Sequence, residues 1–137
     1  MDSIILKESM KSKGDYFSTR MVQCLEQLFF ARPGSNKIEM FKVDQVRSGK
    51  PNIAKMSSLR RSVIHFSITA FKNKRIFLTG GWANGGKTKL CSSYSIESNE
   101  WKTEPELKNA RSSHSSCSLG ERFFVFGGEG EGSVESL

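Results

Sequence analysis

The residues from Gly81 to Thr88 have the types and spacing that could bind a phosphate group. They read Gly-Trp-Ala-Asn-Gly-Gly-Lys-Thr, which matches the pattern G-x-x-x-x-G-K-[ST], and they follow the apolar run Ile76–Thr79. In a phosphate-binding loop (P-loop), backbone N–H groups surround the phosphates, while Lys87 would reach the β/γ oxygens and Thr88 would hold Mg²⁺. Nucleotide binding through Gly81–Thr88 is therefore one function that the sequence allows.

The residues after this motif lack the pattern that nucleotide binding requires. A P-loop continues into a helix at its lysine, but Leu90–Ile96 is rich in serine and alternates like a β-strand. No apolar strand ending in aspartate follows to hold the metal ion, because Phe123–Phe126 is followed by glycine. We therefore interpret Gly81–Thr88 as a polar loop and keep nucleotide binding as the alternative. A strand within residues 87–97 would favour the loop, and a helix there would favour the P-loop.

Other residues that could support catalysis or metal binding are isolated from one another. His65 and His114 have no carboxylate or cysteine at ligand spacing, and the serines around His114 do not make a catalytic triad. Cys24, Cys91 and Cys117 are odd in number and include no C-x-x-C pair, so we expect three buried thiols and neither a disulfide nor a zinc site. The sequence predicts no catalytic residue, no metal site and no cofactor, and hence a protein that is not an enzyme.

Short apolar runs separated by turn residues predict an all-β fold of antiparallel strands. Four strands are expected in the middle of the chain, near residues 64–71, 75–79, 90–96 and 101–104. Two more are expected at Ser113–Leu119 and Arg122–Phe126. Earlier, Tyr16–Phe30 fits both a helical spacing and a strand, and Arg32–Ser35 reads as a turn. Strands this short with such frequent turns indicate an antiparallel all-β fold.

An apolar strand that ends in a glycine pair occurs twice in the chain. Ile76–Gly81 and Phe123–Gly128 share this pattern, and their first glycines are 47 residues apart. A weaker copy lies 48 residues before the first, at Leu28–Ala31, where Arg32 and Pro33 replace the glycines. A period of this length predicts the blades of a β-propeller. The glycines would permit positive φ and close backbone approach where a strand ends abruptly.

The repeated positions resemble the kelch repeat, and they are Gly80, Gly81, Tyr94, Trp101, Arg111, His114, Gly127 and Gly128. The resemblance implies an incomplete kelch-type β-propeller with four-stranded antiparallel blades around a central channel. It implies that Tyr94 and Trp101 face the adjacent blade. It also implies that Arg111 and His114 begin an inner strand and form hydrogen bonds to loops. On this interpretation all eight positions are structural rather than catalytic.

The repeat divides the chain into four parts. We expect a flexible leader over 1–15, a degenerate first blade over 16–59, a complete blade over 60–110 and a truncated third blade over 111–137. Propellers have about four to eight blades, so further blades or another chain would be needed to close the ring. An open edge near Phe123–Phe126 would invite association with another chain or aggregation.

The kelch resemblance implies a protein-protein interaction scaffold, as in substrate-recognition or cytoskeletal adaptor modules. Loops on a rigid scaffold carry function, so we expect the partner protein at Gly80–Lys89 and Gly128–Gly132. The candidate partner-binding residues in these loops are Trp82, Asn84, Lys87, Glu129 and Glu131.

The charge of the chain is uneven. Residues 1–75 have 15 Lys and Arg against 6 Asp and Glu, a net +9, and residues 76–137 have 6 against 8, a net −2. The basic residues are scattered rather than clustered on one predicted element, so we expect no nucleic-acid partner. No run reaches the roughly 20 apolar residues of a membrane span, and the start of the sequence lacks a secretory pattern. We therefore expect a cytoplasmic protein with no membrane partner.

Overall fold

The computed structural model describes residues 19–44, 52–129 and 132–137, and these residues form an all-β fold without a helix. The predicted all-β class with antiparallel strands is therefore confirmed for the described part of the chain. The expected leader over 1–15 lies outside the described residues. Three antiparallel sheets account for most of the fold, and a short two-stranded hairpin extends from the second.

The first sheet has the strand order β1-β2-β3-β4, and its strands are β1 (Arg20–Cys24), β2 (Gln27–Pro33), β3 (Ile38–Asp44) and β4 (Asn52–Lys55). The segment with ambiguous spacing is thus a β-hairpin, with its turn at Leu25 and Glu26. Strand β2 continues through Arg32 and Pro33, where a turn was expected. It does so because Arg32 lies opposite Glu39 on β3 and forms an ion pair with it.

The second sheet contains the four predicted strands, each with ends shifted by no more than a few residues. Its order is β10-β9-β6-β5, and its strands are β5 (Ser67–Phe71), β6 (Arg75–Thr79), β9 (Cys91–Ser95) and β10 (Glu100–Thr103). Between β6 and β9 lies the extra hairpin of β7 (Trp82–Ala83) and β8 (Gly86–Lys87). Its turn residues Asn84 and Gly85 both have positive φ, 50° and 77°. An Asn-Gly pair favours this type of hairpin turn.

The third sheet has the order β11-β12-β13, with strands β11 (Ser115–Leu119), β12 (Arg122–Phe126) and β13 (Val134–Ser136). The three sheets lie side by side in chain order, with β5 of the second sheet next to both β1 and β11. Strand β5 meets β11 through hydroxyl groups, because Ser116 Oγ lies 2.6 Å from both Ser67 Oγ and Thr69 Oγ1.

Alternation along the strands places apolar side chains between neighbouring sheets. The larger core lies between the first two sheets and includes Phe29, Ile38, Met40, Ile76, Leu78 and Tyr94, all fully buried. A smaller core joins the second and third sheets, where Phe77 stacks on Phe123 at 5.1 Å between ring centroids. Burying one such side chain contributes about 1.5–3 kcal/mol. Face-to-face packing of the sheets therefore supplies most of the apolar stabilisation.

Candidate functional site

Most of the longer connections that the structure describes lie at one end of the sheets, which we call the long-loop end. They cover residues 34–37, 56–66, 80–90, 104–114 and 127–133, of which 130 and 131 lie outside the described residues. The opposite end has the tight turns at 25–26, 72–74, 96–99 and 120–121, and we call it the hairpin end. Both predicted partner-binding loops, Gly80–Lys89 and Gly128–Gly132, belong to the long-loop end.

Backbone hydrogen bonds fix the loop after β6 in place. Trp82 exchanges two of them with Ile64, with N···O distances of 2.7 and 3.1 Å. Gly81 N–H donates to the carbonyl oxygen of Arg111 at 2.8 Å, and Thr88 N–H donates to that of Gly81 at 2.8 Å. The loop is therefore held from both sides, by the connection before β5 and by the connection before β11.

Both glycine pairs have the backbone conformation that the sequence predicts. Gly80 and Gly127 have φ of 57° and 60°, and Gly81 and Gly128 have φ of 110° and 115°. The space around them is also restricted, since a Cβ on Gly81 would lie 2.7 Å from the carbonyl oxygen of Ile64. Gly80 and Gly81 permit the close approach of the connections before β5 and before β11.

Arg111 is completely buried and links the second and third sheets at this end. Its Nη1 donates to the carbonyl oxygens of Gly127 and Ser133, at 2.7 and 3.1 Å. Its Nη2 donates to Ser133 Oγ at 3.0 Å and to Glu135 Oε1 at 2.6 Å. The guanidinium thus holds the loop after β12 in place.

Glu135 is the acidic partner of Arg111, and the sequence analysis did not identify it. Burial alone would raise the pKa of Glu135, but N–H groups of Asn109 and Lys108 donate to its carboxylate at 2.9 and 2.7 Å. Together with Arg111 these bonds hold the pKa of Glu135 below its usual range. These donors favour the ionised carboxylate, so Glu135 and Arg111 form a buried ion pair at neutral pH.

His114 is buried beside Arg111 and contacts the last residue of β6. Its Nε2 lies 2.9 Å from Thr79 Oγ1. Burial, reinforced by the positive charge of Arg111, lowers the pKa of His114 to about 4. The imidazole is therefore neutral at physiological pH. It forms a hydrogen bond with Thr79 and is not a charged general acid.

Because the pKa of His114 is lowered to about 4 in the folded chain, stability is expected to depend on pH. Between pH 4 and 6.5 the unfolded state binds a proton that the folded state does not, so the free energy of unfolding rises with pH in this window. One such group gives a slope of up to about 1.4 kcal/mol per pH unit. Urea unfolding at pH 4.5, 5.5, 6.5 and 7.5 should show a smaller slope for His114→Gln than for the wild type. Parallel pH profiles would contradict this prediction.

Four of the five predicted partner-binding residues lie exposed at the long-loop end. Trp82 is 37% exposed on β7, and Asn84 forms the hairpin turn beside it. Lys87 pairs with Trp82 across the hairpin and donates from Nζ to the carbonyl oxygen of Glu129 at 2.8 Å. This bond brings the loops of the second and third sheets together. Glu131, the fifth residue, lies outside the described residues.

Tyr94 and Trp101 are paired on neighbouring strands of the second sheet. Tyr94 contacts the first sheet, and Trp101 contacts the connection that follows β4. The Tyr94 ring lies 6.3 Å from that of Phe29 and 5.4 Å from that of Trp101. Trp101 Nε1 donates to the carbonyl oxygen of Ser57 at 2.8 Å, beyond the end of β4. Both side chains are therefore placed between neighbouring sheets.

A cleft of about 470 Å³ opens at the long-loop end between the first and second sheets. Its lining includes charges of both signs and polar groups, among them Asn36, Arg60, Arg61, Asn84, Lys89 and Glu106. The volume falls within the range of about 300–1,000 Å³ that is typical of binding clefts. Of these residues, the sequence analysis named only Asn84 as a candidate, and Lys89 ends the predicted loop Gly80–Lys89. The others come from loops that meet only in the folded chain.

Residues 81–97 lack the structural features of a P-loop. The segment after Lys87 contains strand β9 and no helix. The N–H groups of Gly81 and Thr88, which would face a phosphate, donate to Arg111 and Gly81 within the protein. The Nζ of Lys87 donates to the carbonyl oxygen of Glu129. These three donors of the motif are thus occupied by the fold itself.

We expect no specific binding of ATP, with or without Mg²⁺, because the donors of Gly81–Thr88 are used internally. In isothermal titration calorimetry with ATP, neither the wild type nor Lys87→Ala should show a saturable heat of binding. Micromolar affinity, about −8 kcal/mol, that requires both Mg²⁺ and Lys87 would contradict the loop interpretation.

The described residues contain neither a helix able to cross a membrane nor a cluster of metal-binding side chains. Residues 19–44, 52–129 and 132–137 include no helix of the length and apolar character that a membrane crossing requires. Within the same ranges, no group of three or more His, Cys, Asp or Glu side chains is arranged as a metal site.

Comparison with known proteins gives a structural neighbour and no named relative in sequence. No family model matches the chain, and no curated protein matches it. A solved structure described as "Structure of YjhT" superposes on 81% of this chain with a TM-score of 0.67 and 14% sequence identity. The match covers 34% of the YjhT chain, so the present chain corresponds to about a third of that protein. At this level of identity the likeness concerns the fold alone.

Proposed function

We propose that the chain is part of a kelch-type β-propeller and acts as a protein-protein interaction scaffold, with the long-loop end as its binding surface. The three sheets would be the blades assigned to residues 16–59, 60–110 and 111–137. The specific role of an adaptor, in substrate recognition or at the cytoskeleton, is proposed only by analogy with the kelch family.

The side-by-side order of the sheets supports the propeller assignment. Strands β1, β5 and β11 are the first strands of successive sheets and lie next to one another, as the inner strands of a propeller would. The positive φ of both glycine pairs and the contacts of Arg111 with the next loop support the kelch assignment. The glycine-pair conformation recurs after β6 and after β12, at the spacing of the sequence repeat, which favours a repeated unit.

The observation that carries the binding proposal is an exposed tryptophan on a loop that is fixed in place. Trp82 is 37% exposed, and its backbone is hydrogen-bonded to Ile64 in both directions. A large aromatic group on a preorganised backbone loses little conformational entropy on binding, and tryptophan is enriched among residues that dominate interface affinity. The surface around Trp82 is therefore suited to contact another protein.

A cleft lined by the two residues after this tryptophan, Ala83 and Asn84, indicates the form of the partner. It is polar and contains both basic and acidic side chains, including Arg60, Lys89 and Glu106. An extended polypeptide segment offers main-chain donors and acceptors together with charged side chains. We therefore propose that the partner contributes an exposed loop or terminal segment that lies along the long-loop end.

A peptide-display selection against the purified chain tests the proposal. Peptides that bind the wild type are measured again with Trp82→Ala and with Lys74→Ala, a matched surface change in the exposed turn at the hairpin end. Trp82→Ala should weaken binding at least about tenfold, or about 1.4 kcal/mol, and Lys74→Ala should not change it. Peptides that bind both variants equally, or that lose affinity only with Lys74→Ala, would place the binding surface elsewhere.

A further inference from the structure

Three basic side chains line the cleft at the long-loop end. Arg60 and Arg61 lie in the connection before β5, Lys89 lies in the connection before β9, and all three are exposed. Among the described residues none of the three has a carboxylate partner, whereas Arg32 and Arg111 each form an ion pair. The basic groups of the cleft are therefore available to a ligand.

One of the two carboxylates in the lining is already neutralised by groups that do not line the cleft. The carboxylate of Glu104 lies 3.4 Å from Arg75 Nη1 and 3.9 Å from Lys102 Nζ. It also accepts a hydrogen bond from Ser93 Oγ at 2.7 Å. The negative charge of Glu104 is therefore used within the second sheet and offsets little of the positive charge of the cleft.

The second carboxylate of the lining, Glu106, lies on a segment next to that of Lys89. Leu107 N–H donates to the carbonyl oxygen of Lys89 at 3.0 Å, which places the two segments side by side. The opposite charges of Glu106 and Lys89 offset each other at this separation. Arg60 and Arg61 thus remain as two positive charges that no carboxylate of the lining balances.

We infer that this cleft binds an acidic segment of the partner protein, with Asp or Glu side chains at Arg60 and Arg61. A guanidinium presents its donors in a planar fork that matches a carboxylate, and such charge-assisted hydrogen bonds are stronger than neutral ones. Asn36 and Asn84 line the same cleft, and their amides can serve the main chain of an extended segment. The inference names the chemistry of the partner and therefore rests on the proposed function.

Charge reversal on the full chain tests the inference. Random displayed peptides are selected against the wild type and, separately, against the double variant Arg60→Glu with Arg61→Glu. The wild type should select peptides rich in Asp and Glu, and fluorescence anisotropy should show that they bind the double variant at least about tenfold more weakly. The double variant should itself select peptides rich in Lys and Arg. A variant that had merely lost its fold would not reverse the preference in this way.

The double variant Lys74→Glu with Arg122→Glu is the matched control. It changes the net charge by the same amount, and both side chains are exposed at the hairpin end. It should keep the preference of the wild type for acidic peptides, because salt screens charges that lie far from the cleft. An equal loss of affinity in the control would show that only the overall charge of the chain matters, and it would overturn the inference.

The remaining outcomes separate this inference from the proposed function. Peptides that lose affinity with Trp82→Ala but bind the arginine variant as tightly as the wild type would overturn the inference and leave the proposed function standing. Acidic peptides that depend on the arginines but not on Trp82 would support the inference and contradict the role of Trp82. A single-stranded DNA oligonucleotide that binds through the same arginines more tightly than the acidic peptides would overturn it, and the absence of any selected peptide would overturn both proposals.

Discussion

Replacement of Arg111 by methionine is expected to lower the free energy of unfolding by about 3–5 kcal/mol. Arg111 is completely buried, and its guanidinium donates to Gly127, Ser133 and Glu135. Methionine has a similar volume but donates no hydrogen bond. The Glu135 carboxylate and the carbonyl oxygens of Gly127 and Ser133 therefore lose the guanidinium as their donor. Removing one member of a buried ion pair is costly because the other charge stays buried. Urea unfolding at pH 7 measures the loss, and the exposed Arg122 offers Arg122→Met as a control with little effect.

The double variant Arg111→Met with Glu135→Met separates the ion pair from general packing. If the loss in Arg111→Met comes from an uncompensated carboxylate, removing that carboxylate should restore part of the stability. The double variant should then be destabilised less than the sum of the two single variants, by about 1–3 kcal/mol. Additive losses would show that the two residues stabilise the fold independently and would contradict this account.

Much of the fold was predictable because β-structure depends on local pattern. The alternation over Ser67–Phe71 and Arg75–Thr79 and the turn between them specify a hairpin without reference to the rest of the chain. The same holds for the glycine pairs, since only a conformation of positive φ explains two glycines after an apolar strand. The hairpin of β7 and β8 was missed, although the Asn84-Gly85 pair is a local signal for it.

What the sequence did not reveal depends on contacts between distant segments. Glu135 lies 24 residues from Arg111, and no spacing rule connects two such residues before the third sheet forms. The cleft at the long-loop end likewise combines Asn36 and Arg60 with Lys89 across two sheets. Cys117 was expected to be buried, but its exposure depends on which sheet covers that face. The local pattern therefore predicted the strands. The site could not be predicted in this way, because it forms only when the strands pack together.

The conversion of Gly80 to alanine should be among the most damaging small substitutions in the chain. Gly80 has φ of 57°, and a Cβ there would lie 2.5 Å from the carbonyl oxygen of Arg111 and closer still to Cε1 of His114. Real Cβ contacts are essentially never this short, so the connection before β11 would have to move. Left-handed strain of about 1–2 kcal/mol adds to an overpacking cost of about 1–3 kcal/mol. We expect a total loss of about 2–5 kcal/mol in the free energy of unfolding.

Gly120 provides the matched control, because it has nearly the same backbone conformation in an open place. Its φ is 56°, and among the described residues no atom lies within 4 Å of a Cβ placed there. Gly120→Ala should therefore show the strain of about 1–2 kcal/mol without the clash. The difference between the two variants in urea unfolding measures how tightly the glycine pair is packed against Arg111 and His114. Equal losses would mean that Gly80 is needed only for its φ, and the close approach at the long-loop end would then contribute nothing to stability.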